Sequence, residues 1–274
     1  MNEPIISVSG LRGVIGDSLT PLVAARYAAA FAGLAPPGPI LLTRDSRPSG
    51  AMLARAIQAS LQAAGRDTID AGIVATPTTG VLVRSLYAAG AIIITASHNP
   101  SEYNGLKLVS VEGRVIPAGP GREVLDAYRA DALRWASHDR LGAPRPCRDP
   151  HRAHLDAVLA IVDVVKIAAA RFKVLLDSNR GAGSILGRRL LEALGCQVTL
   201  LGADPDGQFE HPPEPTAENL AGVQAKVREA GADVGFCQDP DADRLAVIDA
   251  AGRYVGEEYT LAMCADHVLR RRPG

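Results

Sequence analysis

The sequence predicts an α/β protein with two domains. Short apolar runs that are typical of buried strands alternate with longer segments of helical periodicity, and this order indicates sheets covered by helices. A Pro-rich, basic stretch at 142–152 interrupts the alternation, which indicates a domain boundary near residue 150. The chain has 274 residues, 47% of them hydrophobic, which is enough for two domains with cores of their own.

Individual segments predict the elements in chain order. An apolar strand at 40–43 precedes a helix that begins at Pro48 and ends near Ala64. Further strands are predicted at 91–95, 173–176 and 233–236.

The two halves of the chain also share one plan. Segments 40–65 and 174–195 each consist of an apolar strand, a polar turn and a helix that ends on Gly. We therefore expect two similar domains, 1–150 and 151–252, facing each other across one cleft, because ligands of open α/β sheets gather beyond the carboxyl ends of the strands. The alternative is that any two α/β units look this similar.

The composition argues against a nucleic-acid or membrane partner. The 29 Lys and Arg residues nearly cancel the 30 Asp and Glu residues, so no net field attracts a polyanion. The N-terminus lacks a basic region, and no apolar stretch is long enough to span a bilayer. We therefore expect a cytoplasmic protein with a small-molecule partner. The four cysteines are widely spaced and are expected to be reduced thiols: Cys147, Cys196, Cys237 and Cys264.

The segment QDPDADR (238–244) is a candidate metal site. It places Asp239, Asp241 and Asp243 at alternate positions directly after an apolar strand. Carboxylate oxygens are the ligands that Mg²⁺ prefers. An EF-hand is excluded because Arg244 and Ala250 stand where that loop needs Gly and Glu. The alternative is a solvated turn that an aspartate caps.

The segment TASHNPSEYNGLK (95–107) follows another very apolar strand and is a candidate nucleophile loop. Turn signals on both sides indicate that Ser97 is exposed at a strand end, with Lys107 close enough to assist it or its substrate. In the alternative interpretation, Ser97 caps a helix and His98 is a surface residue.

These two loops, in this order, resemble the phosphoserine loop and the metal loop of the α-D-phosphohexomutases. That family includes phosphoglucomutase, phosphomannomutase and phosphoglucosamine mutase. The resemblance spans nearly the whole chain, because four further segments also match: SGLRG (9–13), TRDSR (43–47), ATPTTG (75–80) and HPPEPTAENL (211–220). It implies two three-layer α/β domains with mixed sheets.

The resemblance also implies a reaction. Phosphorylated Ser97 would give its phosphoryl group to a hexose phosphate and recover one from the resulting bisphosphate, so that phosphate moves between the 1- and 6-positions. A hexose 1,6-bisphosphate would load Ser97. Mg²⁺ would be bound by Ser97, through its phosphate, and by Asp239, Asp241 and Asp243.

Further residues are implied in the same site. Lys107 would act as general acid or base, which requires a lowered pKa that a cation-rich site could supply. Arg244 would pair with the phosphate. The remaining implied residues are Arg12 and His98 near the reacting groups, and Asn99 beside the phosphate.

The sequence departs from the family pattern in length. Family members have four domains, so we expect 253–274 to begin a third domain, with VGEEYT (255–260) leading into it rather than serving as a sugar-recognition loop. The missing domains, from the same gene or another chain, would complete the hexose phosphate site. We expect the chain alone to turn over hexose phosphates poorly or not at all. SGLRG and HPPEPTAENL favour a phosphoglucosamine mutase over a phosphomannomutase or phosphoglucomutase.

Two other function classes stay open. DSNRGAGSILG (177–187), with Asp204 after the next strand, imitates the fingerprint of a dinucleotide-binding oxidoreductase, but its third Gly is displaced by one residue. A non-catalytic binding fragment is the other alternative. His151 and His154 lack further ligands and are expected at the surface.

Overall fold

The computed structural model describes residues 3–271, in which two mixed sheets are each covered by helices. The strands of the first sheet are β1 (Ile5–Ser7), β2 (Gly10–Val14), β3 (Ile40–Arg44), β4 (Thr68–Ile73), β5 (Gly90–Ile94), β6 (Tyr103–Val109) and β7 (Pro144–Pro146). Its helices are α1 (Pro21–Leu34), α2 (Pro48–Ala63), α3 (Thr76–Ser85) and α4 (Ala118–Arg129), with a short 3-10 helix at His138–Arg140.

The second sheet follows in sequence. Its strands are β8 (Lys173–Asp177), β9 (Gln197–Leu201), β10 (Val234–Gln238) and β11 (Leu245–Asp249). The remaining helices are α5 (Arg152–Leu159), α6 (Val164–Ala170), α7 (Ser184–Ala193), α8 (Ala221–Glu229) and α9 (Glu257–Arg271).

Both sheets combine parallel and antiparallel pairs. The first has the order β1-β2-β6-β5-β3-β4-β7, with β3 parallel to β4 and β5, and β6 antiparallel to β2 and β5. The second has the order β11-β10-β8-β9, with only β11 antiparallel to its neighbour. The predicted α/β fold with two mixed-sheet domains is thereby confirmed, whereas the boundaries at 150 and 252 stay a prediction.

Alternating side chains along each central strand explain the three layers. In β3, Ile40 and Leu42 join the core beneath α1 and α2, while Leu41 joins the core on the opposite face. In β8, Leu175 faces the core with residues of α8, while Leu176 faces α7. The central strands are therefore buried on both faces, which is why they are continuous apolar runs in the sequence.

Helix ends follow the local sequence. Pro21 and Pro48 begin α1 and α2, where a missing N–H costs no helical hydrogen bond. Gly65 and Gly195, just beyond α2 and α7, have φ of +76° and +73°, the left-handed conformation that closes a helix most readily at Gly. The predicted strands and the predicted helix from Pro48 coincide with β3, β5, β8, β10 and α2 to within two residues at each end.

No helix among residues 3–271 is long and apolar enough to cross a membrane. The four cysteines are free thiols. α9 differs from the other long helices, because none of its side chains is buried and several large apolar ones are exposed: Tyr259, Leu261, Met263, Val268 and Leu269.

Candidate active site

Ser97 lies three residues beyond β5, at the carboxyl edge of the first sheet. It is almost completely buried, so the expectation that the turn exposes it is wrong. Its φ is +52°, a left-handed conformation that is costly for a residue with a side chain. The Oγ of Thr95 accepts the Ser97 backbone N–H at 2.8 Å and helps to hold this turn. A strained residue held by its surroundings is typical of a functional loop.

Arg47 provides the main support of this loop. Its guanidinium has no exposed area and is paired with Asp45, where Nε lies 3.1 Å from Oδ2. Its Nη atoms donate, at 2.6–3.1 Å, to four backbone carbonyls of the loop, those of Ser97, Asn99, Pro100 and Tyr103. The ring of Phe209, from the second half of the chain, lies 5.1 Å from the guanidinium carbon. The loop carbonyls that Arg47 contacts lie 50 or more residues away, so the TRDSR segment carries no local signal of this role.

The three aspartates of the second loop converge as expected from their alternate spacing. Ala242 has φ of +52°, which curls the chain after β10. Asp239 Oδ1 accepts the backbone N–H groups of Asp243 and Arg244, at 3.1 and 3.2 Å. One carboxylate oxygen from each of Asp239, Asp241 and Asp243 lies within 4.8 Å of the others, and the first two residues are buried.

The two loops meet although they belong to different sheets. Ser97 Oγ donates to Asp239 Oδ2 at 3.1 Å. Lys107 Nζ, from β6, lies 2.8 Å from Asp241 Oδ2 and 3.0 Å from Asp243 Oδ2. The serine, the lysine and the three carboxylates therefore form one cluster.

The electrostatics of the three carboxylates favour a bound cation. Burial, together with the charges of Asp241 and Asp243, raises the pKa of Asp239. Asp241 Oδ1 is buried and has no hydrogen-bond partner among residues 3–271. An unpaired buried carboxylate oxygen is costly, and three converging carboxylates are a donor set that suits Mg²⁺. The residues present therefore fit this metal.

The expectation of a lowered pKa for Lys107 is wrong. Burial alone would lower the pKa of this lysine, but the carboxylates of Asp241 and Asp243 outweigh burial and raise it. Conversely, burial would raise the pKa of Asp241, and the Lys107 ammonium holds it below its ordinary value. The sequence showed the neighbouring cations but not that β6 directs Lys107 at two aspartates.

The other predicted site residues lie around this cluster. His98 Nδ1 is 3.2 Å from Ser97 Oγ, and burial together with the charge of Arg244 lowers the pKa of this imidazole. Asn99 donates its side-chain amide to the carbonyl of Ala96 at 2.9 Å, so this nitrogen stabilises the loop itself.

The two predicted arginines have different neighbours. Arg12, on β2, lines a cavity of about 430 Å³ together with Lys107 and Asp243. The guanidinium of Arg244 lies 3.5 Å from Glu257 and 3.9 Å from Glu214. Both side chains border the cluster without touching Ser97 Oγ directly.

The glycines of the 177–187 loop serve close packing. A Cβ on Gly181 would lie 2.8 Å from the Pro240 carbonyl oxygen, and one on Gly183 would lie 2.7 Å from the Ala242 Cβ. The N–H of Ala182 donates to the Pro240 carbonyl at 2.8 Å. The 177–187 segment, which imitates a dinucleotide fingerprint, therefore packs against the aspartate loop and supports it.

The expectation that both histidines lie at the surface is wrong for His151, which is 5% exposed. α5 packs against α3 and α7, and this contact covers the residue that precedes α5. His154 is half-buried, and its Nδ1 lies 2.9 Å from the Thr78 hydroxyl. Long-range helix packing of this kind leaves no local sequence signal.

Comparisons with known proteins agree with this architecture. Residues 4–134 match the family model described as phosphoglucomutase/phosphomannomutase, alpha/beta/alpha domain I, and residues 152–252 match that of domain II. A Thermococcus kodakarensis protein named phosphoglucomutase/phosphomannomutase is 37% identical, over 97% of this chain and 59% of its own. A probable phosphoglucosamine mutase of the same organism is 34% identical, over 96% of this chain and 58% of its own.

A solved structure shows the same fold. The crystal structure of a phosphoglucomutase/phosphomannomutase family protein from Burkholderia thailandensis aligns with a TM-score of 0.86 at 30% identity, covering 98% of this chain and 61% of that chain. The serine loop lies within the match to domain I, and the aspartate loop lies within the match to domain II. The chain belongs to the phosphoglucomutase/phosphomannomutase family, and it spans about three fifths of the length of the curated relatives that it matches.

Proposed function

We propose that this chain forms the phosphoserine and metal half of a hexose-phosphate mutase. The observation that carries the proposal is the contact of Ser97 Oγ with Asp239 Oδ2 at 3.1 Å, which joins two loops 142 residues apart in the sequence. The names of its relatives, phosphoglucomutase/phosphomannomutase and probable phosphoglucosamine mutase, support this reaction class.

In the proposed reaction, phosphorylated Ser97 is the phosphoryl donor. The bond between phosphorus and Ser97 Oγ breaks as a bond from phosphorus to a sugar hydroxyl oxygen forms. A nearby base takes the sugar hydroxyl proton, and the leaving Ser97 Oγ takes up a proton from a nearby acid. The sugar bisphosphate then returns its other phosphoryl group to Ser97. Bound by Asp239, Asp241 and Asp243, Mg²⁺ would neutralise charge on the transferred phosphoryl group.

Proton transfer falls to His98 and Lys107. His98 Nδ1 lies 3.2 Å from Ser97 Oγ, and its lowered pKa favours the neutral form, which can accept the Ser97 hydroxyl proton when the phosphoryl group returns to that oxygen. Lys107 has a raised pKa and is an ammonium at neutral pH. It therefore serves as a proton donor and a source of positive charge, and Arg12 and Arg244 add charge that would attract the substrate phosphates.

The proposed substrate is a hexose phosphate, with glucosamine phosphate favoured and mannose and glucose phosphates as the alternatives. Recognition of the sugar is assigned to further domains, from the same gene or another chain, because the relatives are much longer. The exposed apolar side chains of α9 support such an addition. We also propose that the two domains end at residues 150 and 252 and that the protein is cytoplasmic.

Phosphoryl loading of Ser97 tests the proposal directly. The purified chain is incubated with Mg²⁺ and glucose 1,6-bisphosphate, and intact-mass measurement with phosphopeptide mapping follows. We expect one phosphoryl group, on Ser97. The variant S97A should take up none, whereas S101A, which alters an exposed serine in the same loop, should be loaded like the parent. Stable phosphate at another residue, or equal loading of S97A, would contradict the assignment.

A further inference from the structure

Thr76 is the first residue of α3 and belongs to the first half of the chain, yet both of its polar groups contact the aspartate loop. Its backbone N–H donates to the Asp241 carbonyl at 2.8 Å, and its hydroxyl donates to Asp241 Oδ2 at 2.7 Å. We propose that Thr76 is a positioning residue that orients the Asp241 carboxylate toward the metal. This inference rests on the proposed metal site.

The backbone contact completes the first turn of α3. Amide groups at the start of a helix have no partner within the helix. In α3, Pro77 has no N–H, and the N–H of Thr78 donates to the Ala75 carbonyl at 2.9 Å. The N–H of Thr76 is satisfied by Asp241, so the aspartate loop is fixed to the helix at this point.

The hydroxyl contact selects between the two carboxylate oxygens. Asp241 Oδ2 accepts hydrogen bonds from Thr76 and Lys107, whereas Oδ1 is buried without a partner among the described residues. The terminal torsion of an aspartate is broad, so the carboxylate orientation must be set by its partners. The hydroxyl thus holds one oxygen and leaves the other available as a ligand.

Lys107 cannot set this orientation alone. Its ammonium is shared with Asp243, and it ends a flexible four-carbon stem with rotatable donors. Thr76 is β-branched and stands on a helix, which restricts its side-chain torsion. Groups that hold a metal ligand in this way typically change metal affinity by about 10- to 100-fold when they are removed.

The test compares three variants of the 274-residue chain, with Mg²⁺ alone titrated by calorimetry. T76V removes the hydroxyl but keeps the branched shape, and T76S keeps the hydroxyl. T79V is the matched control, because Thr79 is a buried threonine of the same helix whose hydroxyl lies 2.9 Å from that of Thr43 and does not touch the aspartate loop. We expect T76V to bind about tenfold more weakly or worse, with T76S within about twofold of the parent and T79V unchanged.

The outcomes separate this inference from the proposed function. Equal Mg²⁺ affinity of T76V and the parent overturns the role of Thr76 while the metal site stands. Equal losses in T76V and T76S also overturn it, because the hydroxyl would then not matter. A parent that binds no Mg²⁺ overturns the metal site and this inference with it. Urea unfolding confirms that each variant is folded, and T76A replaces T76V in the comparison if T76V does not fold.

Discussion

Two turns at strand ends, one in each half of the chain, share the same aspartate-to-backbone hydrogen bond. They differ in the side chain that pairs with the aspartate. After β3, Asp45 Oδ1 accepts the N–H of Arg47 at 2.9 Å, and after β8, Asp177 Oδ1 accepts the N–H of Asn179 at 3.0 Å. In both turns the second oxygen is paired with a basic side chain. That side chain is Arg47 itself in the first turn, and His211 from a distant loop in the second, at 2.8 Å.

The difference shows that the same type of turn can hold a neighbouring loop through either an arginine or a histidine. An arginine fork presents several donors in fixed geometry and stays charged near neutral pH, so the first turn holds the strained serine loop without depending on a histidine. The second turn holds the 208–212 loop through the Asn179 side-chain amide and also through the His211 imidazole, which is charged only when protonated. The nucleophile loop is thus held by an arginine, whereas the loop after β9 is held in part by a group that titrates near neutral pH.

The largest expected effect is the loss of Arg47. R47M removes the charge and the fork while keeping an unbranched side chain, which leaves Asp45 buried without its cation and removes one donor from each of four loop carbonyls. Removing one partner of a buried pair typically costs about 3–5 kcal/mol of unfolding free energy. Urea unfolding measures this loss.

A matched variant makes the comparison specific. Arg180, in the second turn, pairs with Asp206 in a partly exposed position, where ion pairs contribute less than fully buried ones. R180M should therefore lose far less stability than R47M. Equal losses of unfolding free energy in the two variants would show that Arg47 contributes no more to stability than Arg180 does.

The positions of the serine and aspartate loops could be predicted from the sequence, but the contacts between residues far apart in the chain could not. Alternating aspartates and a serine after a buried strand are readable, because they depend on neighbours along the chain. The targets of Arg47, Thr76 and His211 lie about 50, 165 and 34 residues away in sequence, and such pairing depends on how the sheets and loops fold together. A repeated Asp-x-Arg and Asp-x-Asn after β3 and β8 was the one local signal for the paired turns.

The second prediction concerns the pH dependence of the second turn. Both nitrogens of His211 face acceptors, the Asp177 carboxylate and the Pro212 carbonyl at 3.0 Å, and both can donate only in the imidazolium. Burial opposes the charge, but these acceptors outweigh burial and raise the pKa of His211. Its stabilisation is therefore fully present below the unfolded pKa of about 6.5 and is lost as pH rises through the higher folded pKa.

The variant H211Q tests this sign. Relative to the parent, we expect a loss on the order of 2 kcal/mol in acidic buffer, a typical value for a hydrogen bond to a charged group, and a smaller loss in alkaline buffer. Urea unfolding over a pH series measures the difference. A loss that is constant with pH, or that grows as pH rises, would mean that His211 is held as the neutral imidazole. The corresponding R47M loss should not follow this titration.

The smallest expected effect on unfolding free energy comes from the central residue of each turn, which is a serine in both. Ser178 Oγ donates to Gln238 Oε1 at 3.0 Å, whereas Ser46 Oγ is buried with no partner among residues 3–271. S178A removes a hydrogen bond and leaves a partly buried amide oxygen unpaired, at a cost of about 1 kcal/mol. S46A removes a hydroxyl that is already desolvated without compensation, so we expect a change within about 0.5 kcal/mol, in the stabilising direction if any. Chemical denaturation of the two variants in parallel measures both changes. A loss for S46A as large as that for S178A would show that the Ser46 hydroxyl has a partner in solution, and the first turn would then depend on more than its Asp45–Arg47 pair.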